Sequence, residues 1–527
     1  MPSSAVPHAC ATFFPDFPKP LPGGRSQLPD FSGSGAALYL TQLVRQSPPG
    51  SLLAVVTASA GDARRLLDEI PWFDARLRVR LLPDWETLAY DSFSPHHDLV
   101  SERLATLYSI TRSECDLLLI PASTAVYRFT PPDWLAAYTF FLKQNERLDA
   151  EKLRAQLTLA GYTHVTQVVT PGEYSIRGGL IDLFPMGAAL PFRLDLFDDE
   201  IESIKTFDVD TQRTLHPVPE IRLLPAREFP LDEKGRARFR QRFREVFEGD
   251  PARCPIYKEV SNGIAPPGIE YWLPLFFEQT ATLFDYLPEG TTLCLHGDVP
   301  EAIHAFWRDA QARFQMLSGE ASRPLLPPGE LFLSEENFFV AAKALSRVVL
   351  KRDDATPTPL TLTPTPLPGG EGLTRAVPPV AVERRATDPL ARLKAFIDGF
   401  PGRILLLAES PGRRETLAEL LGEYGLKATP STDLADFLQS EARLSLGVSP
   451  LHTGFILEAG KGEGRREKGK TGGGGNASEK NTHETGAIRK SASPHPSPFP
   501  LPSSQRSLAL ITETELYADS PSRRSSR

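Results

Sequence analysis

Hydrophobic positions along the chain fall into three rhythms. The first is the unbroken apolar run. "SLLAVVTA" (51–58), "CDLLLIPAST" (115–124) and "RILLLAES" (403–410) each read as a strand covered on both faces, the form a parallel sheet takes. The second has helical spacing. "GDARRLLDEI" places Leu66, Leu67 and Ile70 together, and "HDLVSERLATLYSI" carries Leu99, Val100, Leu104, Leu107 and Tyr108 on one stripe. The third is strict alternation. In "GEYSIRGGLIDLFPMGAALPFRLDLFDDEIESI" (172–204), Phe192, Leu194 and Leu196 fall on one face, and Arg193, Asp195 and Phe197 on the other.

These rhythms divide the chain. Residues 25–141 and 223–350 read as two parts of one α/β unit. Between them, 142–222 form a small α+β insertion. It opens with a helix started by Asp149 and stopped by Gly161, followed by three alternating strands in which Gly178 and Gly179 could bulge the register. A proline-rich linker, 351–386, leads to a second small α/β unit, 387–518, with a helix starting at Asp388–Pro389 and a last strand over 507–518. Low-complexity sequence at 459–505 interrupts that unit, and neither it nor 354–379 has the apolar content to pack. Residues 1–24 are expected to be disordered, and 519–527 form a basic, polar tail.

The chain has 527 residues, a net charge of -8 and ordinary apolar and charged fractions, which argues against broad coating of nucleic acid. Four cysteines without paired spacing predict neither a zinc site nor a disulfide framework and fit a reducing, cytoplasmic setting. No apolar run reaches the ~18 residues that a membrane span needs.

Candidate chemistry is sparse. "FSGSGAALYL" (31–40) is glycine-rich and leads into a helix, where a phosphate loop would sit, with Gly33, Ser34 and Gly35 at its turn. Ala36 and Ala37 stand where a working loop has its lysine and its magnesium-holding hydroxyl, so small residues for close packing are the better reading. The strand at 291–298 ends in a lone Asp298, better read as surface loop than as a magnesium ligand. His96 and His97 are adjacent, diverge by about 100° on a helix and fit a helix start better than a metal site. No catalytic residues and no metal site are predicted. The outward face with Arg193 and Phe197, and with Arg177 on the strand before, has two open readings: a solvated face, or an interface anchored by the residue types that dominate hot spots.

"GEYSIRGGLIDLFPMG", "LDLFDDEIESIKTFDVDTQRT", "LPDWETLAYDSFSPH" and "GIEYWLPLFF" together resemble the bacterial transcription-repair coupling factor family, over residues 30–350 closely and 387–518 more loosely. The resemblance implies a degenerate P-loop, helicase-like domain similar to the excision-repair protein UvrB, split by a domain that docks on UvrA. It also implies UvrA contacts at Arg177, Arg193 and Phe197. It implies that the UvrB-like module does not use ATP, and no cofactor is expected for the residues present. ATP and magnesium belong to the translocase of the whole family, which reaches RNA polymerase and double-stranded DNA through parts that match nothing here. A frameshift or truncation is the expectation on that account. The alternatives are an ATP-dependent DNA helicase or translocase, or a UvrB-type damage-recognition subunit. UvrB itself carries a long hairpin where "DWETLAYDSFSPHHDLVSERL" runs straight through.

Overall fold

The computed structural model describes residues 20–28, 31–320, 322–350, 374–383, 385–457 and 507–517. Its first sheet opens with β1 (Arg25–Leu28), β2 (Leu53–Thr57), β3 (Val79–Leu81) and β4 (Leu117–Pro121). β2 and β4 are buried at every position and pair in parallel, Leu53 opposite Leu117, so polar alternation has no place in them. Helix α1 (Gly35–Arg45) follows β1; α2 (Ala60–Phe73) and α3 (His97–Thr111) make the next crossovers. α2 starts where the Ser59 hydroxyl accepts the Asp62 amide, and it buries Ala63, Leu66, Ile70 and Phe73. α3 starts at His96, whose ring accepts the Asp98 amide, so the two histidines are a cap and a first-turn residue. Among the described residues, no group of three His, Cys, Asp or Glu side chains could hold a metal ion.

The chain leaves this unit and returns to it through a two-stranded antiparallel ladder, β5 (Phe140–Lys143) against β12 (Glu220–Leu223). Between them lie β6 (Thr163–His164), β7 (Glu173–Arg177), β8 (Leu180–Phe184), β9 (Phe192–Phe197), β10 (Glu200–Phe207) and β11 (Thr214–Pro217). They form one sheet of order β11-β10-β9-β8-β7-β6, twice the three strands that the alternation marks. Two of the three added strands are short edges: β6 has two residues and β11 is exposed throughout, so neither leaves a burial rhythm in the sequence; the third comes from the turn that parts β7 from β8. Gly178, at φ +61°, and Gly179 do not bulge the ladder; they make its two-residue turn, with Arg177 opposite Leu180. The register shifts lie instead on β10, between Ile201 and Ser203 and between Lys205 and Phe207. On the inner face Tyr174, Ile181, Leu183, Leu194 and Ile204 share one buried cluster with Leu153 and Leu157 of the helix Ala150–Leu159. The β8–β9 loop rests on α3: the Gly187 amide donates to Ser101 Oγ at 2.7 Å, and a Cβ there would meet Ala105 Cβ at 2.6 Å.

β13 (Thr292–His296) and β14 (Ser346–Leu350) complete the first sheet, which is parallel throughout in the order β1-β14-β13-β2-β4-β3. The last unit is a second sheet: β15 (Arg403–Ala408), β16 (Thr429–Pro430), β17 (Leu444–Val448), β18 (Phe455–Leu457) and β19 (Leu508–Thr512), ordered β16-β17-β15-β19-β18. Three expectations change here. The helix expected at Asp388–Pro389 begins at Ala391, because Asp388 spends its carboxylate on the Leu390 amide and Lys394 in a preceding turn. The strand over 507–518 ends at Thr512, where a reciprocal Thr512–Glu515 capping box starts a helical turn, Glu513–Leu516. The linker is also shorter than its composition suggests. Arg375 exchanges two backbone hydrogen bonds with Ile456, and Val380 and Ala381 are buried. The rest of that linker (351–373), the insert 459–505, most of 1–24 and the tail lie outside the described residues.

The first and last units share a core in which Leu38, Leu43 and Leu66 pack with Leu405, Leu407, Phe455 and Leu510. No helix among the described residues is long and apolar enough to cross a membrane.

Candidate docking face and the phosphate-loop position

The outer face of the inserted sheet is built around one buried carboxylate. Asp182, in the middle of β8, is 1% exposed and sits opposite Arg193 on β9. Its Oδ1 accepts Arg193 Nε at 2.7 Å, and its Oδ2 accepts Arg193 Nη2 at 2.9 Å and Arg177 Nη2 at 2.8 Å. Arg193 also donates Nη1 to the Gln212 carbonyl at 3.1 Å and lies 4.9 Å over the Phe207 ring. Its hydrogen bonds to Asp182 raise its pKa further. Asp195 is held below the usual carboxylate range: burial alone would raise it, but Ser203 and Lys205 donate to it and outweigh that.

Alternation places the three expected residues on this face, but in unequal settings. The Arg193 side chain is 16% exposed, that of Arg177 is 54% exposed, and Phe197 is 72% exposed at the end of β9. Arg193 is therefore not the free outward side chain that the pattern suggests; it is built into the sheet. Asp182 was missed. Its only signal is a charge at outward parity inside the otherwise apolar "LIDLF".

The loop at 33–35 is closed by packing. Gly33 has φ +56°, and a Cβ there would meet the Gly454 carbonyl oxygen at 2.3 Å. A Cβ on Gly35 would meet Thr374 Cγ2 at 2.7 Å. Ser34 donates from its amide to the Thr453 carbonyl and from its hydroxyl to Glu69 Oε1 at 2.7 Å. Glu69 is fully buried on α2 and also accepts the His452 amide (3.1 Å) and Arg65 Nη1 (2.8 Å). A buried carboxylate of the protein itself thus sits against the Ser34 hydroxyl at the start of α1. A cavity of about 570 Å³ opens beside the loop, lined by Gly33, Ala36, Asp62, Arg65, His296 and His452 among others. The Arg65 guanidinium in it pairs with Asp62 and Glu69. Asp298, the lone acid after β13, caps the helix Val299–Leu317 by accepting the Glu301 amide.

Residues 140–229 match the family model described as the UvrB interaction domain, and 396–462 match that described as the MFD D3 domain. Among curated proteins, the chain is 41% identical over 453 residues to a transcription-repair-coupling factor of Haemophilus influenzae, covering 85% of this chain and 38% of that protein. It is 42% identical over 436 residues to one of Escherichia coli, covering 82% and 37%. It is 32% identical over 275 residues to one of Myxococcus xanthus, covering 49% and 23%. The chain thus spans less than two fifths of the length of the first two relatives.

Proposed function

Since the chain belongs, over the part that these relatives match, to the transcription-repair-coupling factors, we propose that it acts in that process as an adaptor recruiting UvrA to nucleotide excision repair. The docking surface is the outer face of the inserted sheet, with Arg177, Arg193 and Phe197 as its anchors. One observation carries this reading. Phe197 stands 72% exposed at the end of β9, on the sheet face that also carries Arg177 and Arg193, while the opposite face packs into the core. An aromatic and an arginine held at fixed positions on a rigid sheet lose little freedom on binding, which is what makes such residues hot spots.

The adaptor reading makes the first unit a scaffold. Its loop has no lysine to reach a phosphate, and Ser34 at its helix start already donates its hydroxyl to Glu69. Polymerase binding and ATP-driven translocation on DNA are the activities that the resemblance assigns to the whole family. For this chain the docking role is the proposal. Calorimetric titration of the full chain with purified UvrA tests it, with ATP hydrolysis measured alongside, with and without duplex DNA. Binding lost on Phe197→Ala, without turnover, supports the adaptor. Turnover that disappears when residues 33–37 are changed supports a motor instead.

A further inference from the structure

Resting on that docking reading, we infer that Asp182 is the positioning residue of the face, and that it divides the two arginines into a strut and a contact. Its carboxylate is buried, so its orientation is set by β8 and not by solvent. Arg193 grips both of its oxygens in a fork and spends its remaining terminal nitrogen on the Gln212 carbonyl. Stacked on Phe207 and 16% exposed, Arg193 has little left to offer a partner. Arg177 is the opposite case: one nitrogen is held by Asp182 Oδ2, and the side chain is more than half exposed.

The chemistry follows from the charge count. Two guanidiniums meet one carboxylate, so the cluster keeps one positive charge, and its exposed part is Arg177. A planar guanidinium pinned through one nitrogen presents its other N–H groups in a fixed direction, the arrangement that binds a carboxylate with little entropy loss. The Gly178–Gly179 turn brings Arg177 on β7 and Asp182 on β8 within reach across the hairpin. Without Asp182, Arg177 would keep its charge but not its direction. Asp182 therefore acts through Arg177, while Phe197 anchors independently at the far end of β9.

The test is a double-mutant cycle on the full chain, titrated calorimetrically with UvrA. Thermal melts of each variant fix a temperature at which all are folded. Asp182→Asn keeps the shape and removes the charge. We expect it to weaken binding about tenfold, as Arg177→Ala does. In the Asp182→Asn background, Arg177→Ala should cost little more, while Phe197→Ala should cost its full factor, because only coupled residues are non-additive. A merely structural role would couple Asp182 to Phe197 as strongly as to Arg177. Should Asp182→Asn not fold, Asp182→Glu keeps the charge but carries the carboxylate one methylene away from the position that holds Arg177, and the same coupling pattern is expected. Parent-like binding by Asp182→Asn, or full additivity with Arg177→Ala, overturns the positioning role while leaving the docking face intact. Parent-like binding by both Arg177→Ala and Phe197→Ala overturns the docking face and this inference together.

Discussion

Gly33→Ala separates a phosphate loop from a packing joint. In a nucleotide site, a methyl group here would disturb ligand binding and leave folding nearly unchanged. In this structure the methyl group meets two backbone oxygens, Gly454 O at 2.3 Å and Thr453 O at 2.8 Å, neither of which can rotate away. Alanine at φ +56° costs roughly 1 kcal/mol on its own. Relieving the overlap means moving the loop off the 453–454 segment, which breaks the Ser34 N to Thr453 O bond of 3.0 Å, worth about 1 kcal/mol. It also loosens the packing between the two units. The sum is about 2–4 kcal/mol, a fall in melting temperature on the order of 3–6 °C for two units that share one core. Gly290→Ala supplies the control, since Gly290 has a similar φ of +78° with nothing within 4 Å of the added carbon. Differential scanning calorimetry of both variants reads the difference. If Gly33→Ala melts together with Gly290→Ala, the joint does not exist as described. A parent chain whose melting temperature rises with ATP and magnesium refutes the reasoning from the other side.

Arg193 and Phe197 should part company in stability. Arg193→Ala strips a buried carboxylate of its main partner and should cost about 2–3 kcal/mol, less than a fully broken buried pair because Arg177 remains. Phe197→Ala, at an exposed ring, should stay within about 0.5 kcal/mol. Equal urea midpoints for the two would contradict the strut. Leu194→Ala removes a fully buried side chain from the inner face and should cost about 2–5 kcal/mol while leaving Arg177 and Phe197 presented. A parent-like melt would place the core elsewhere. Asp74 predicts an acid dependence. Burial pushes its carboxyl up, but hydrogen bonds from Arg76 and Arg45 together bring it down to about 2. A carboxyl lowered on folding stabilises above its unfolded value near 4, and that contribution, about 2 kcal/mol, is lost as pH falls from 4 towards 2. The melting difference between parent and Asp74→Asn should shrink over that window, and a constant difference would exclude the linkage.

Much of this was legible because burial writes itself into local pattern. β2, β4 and β15 are apolar runs because both faces are covered, and β9 alternates because one is. The cap at Asp149 is equally local. What could not be read depends on residues far apart in the chain. Thr374 is one residue in a proline-rich stretch until it is seen against Gly35 and Ser32. Glu69 looks like a surface charge on an amphipathic helix, yet its partners are Ser34 and His452, the latter 383 residues away. The alternation of β9 gave the face correctly but not the depth: parity places Arg193 outward, and only the neighbouring strand, with the 207–212 turn over it, shows that outward is not exposed.

The carboxylate behind the 33–35 loop also bears on what it would take to make the loop hold a phosphate. Placing a lysine and a hydroxyl at Ala36 and Ala37 writes the signature of a phosphate loop and little else. A triphosphate arriving there would bring several negative charges towards Glu69, already seated on the Ser34 hydroxyl and the His452 amide, and would find Thr453 and Thr374 pressed against the glycines that should curve around it. An introduced lysine would have that glutamate within its neighbourhood as a ready counter-ion. The obstacle to a phosphate at this loop is therefore spread over two units and several hundred residues of sequence. An obstacle distributed in this way is not removed by single substitutions, because the contacts that close the loop also join the two units.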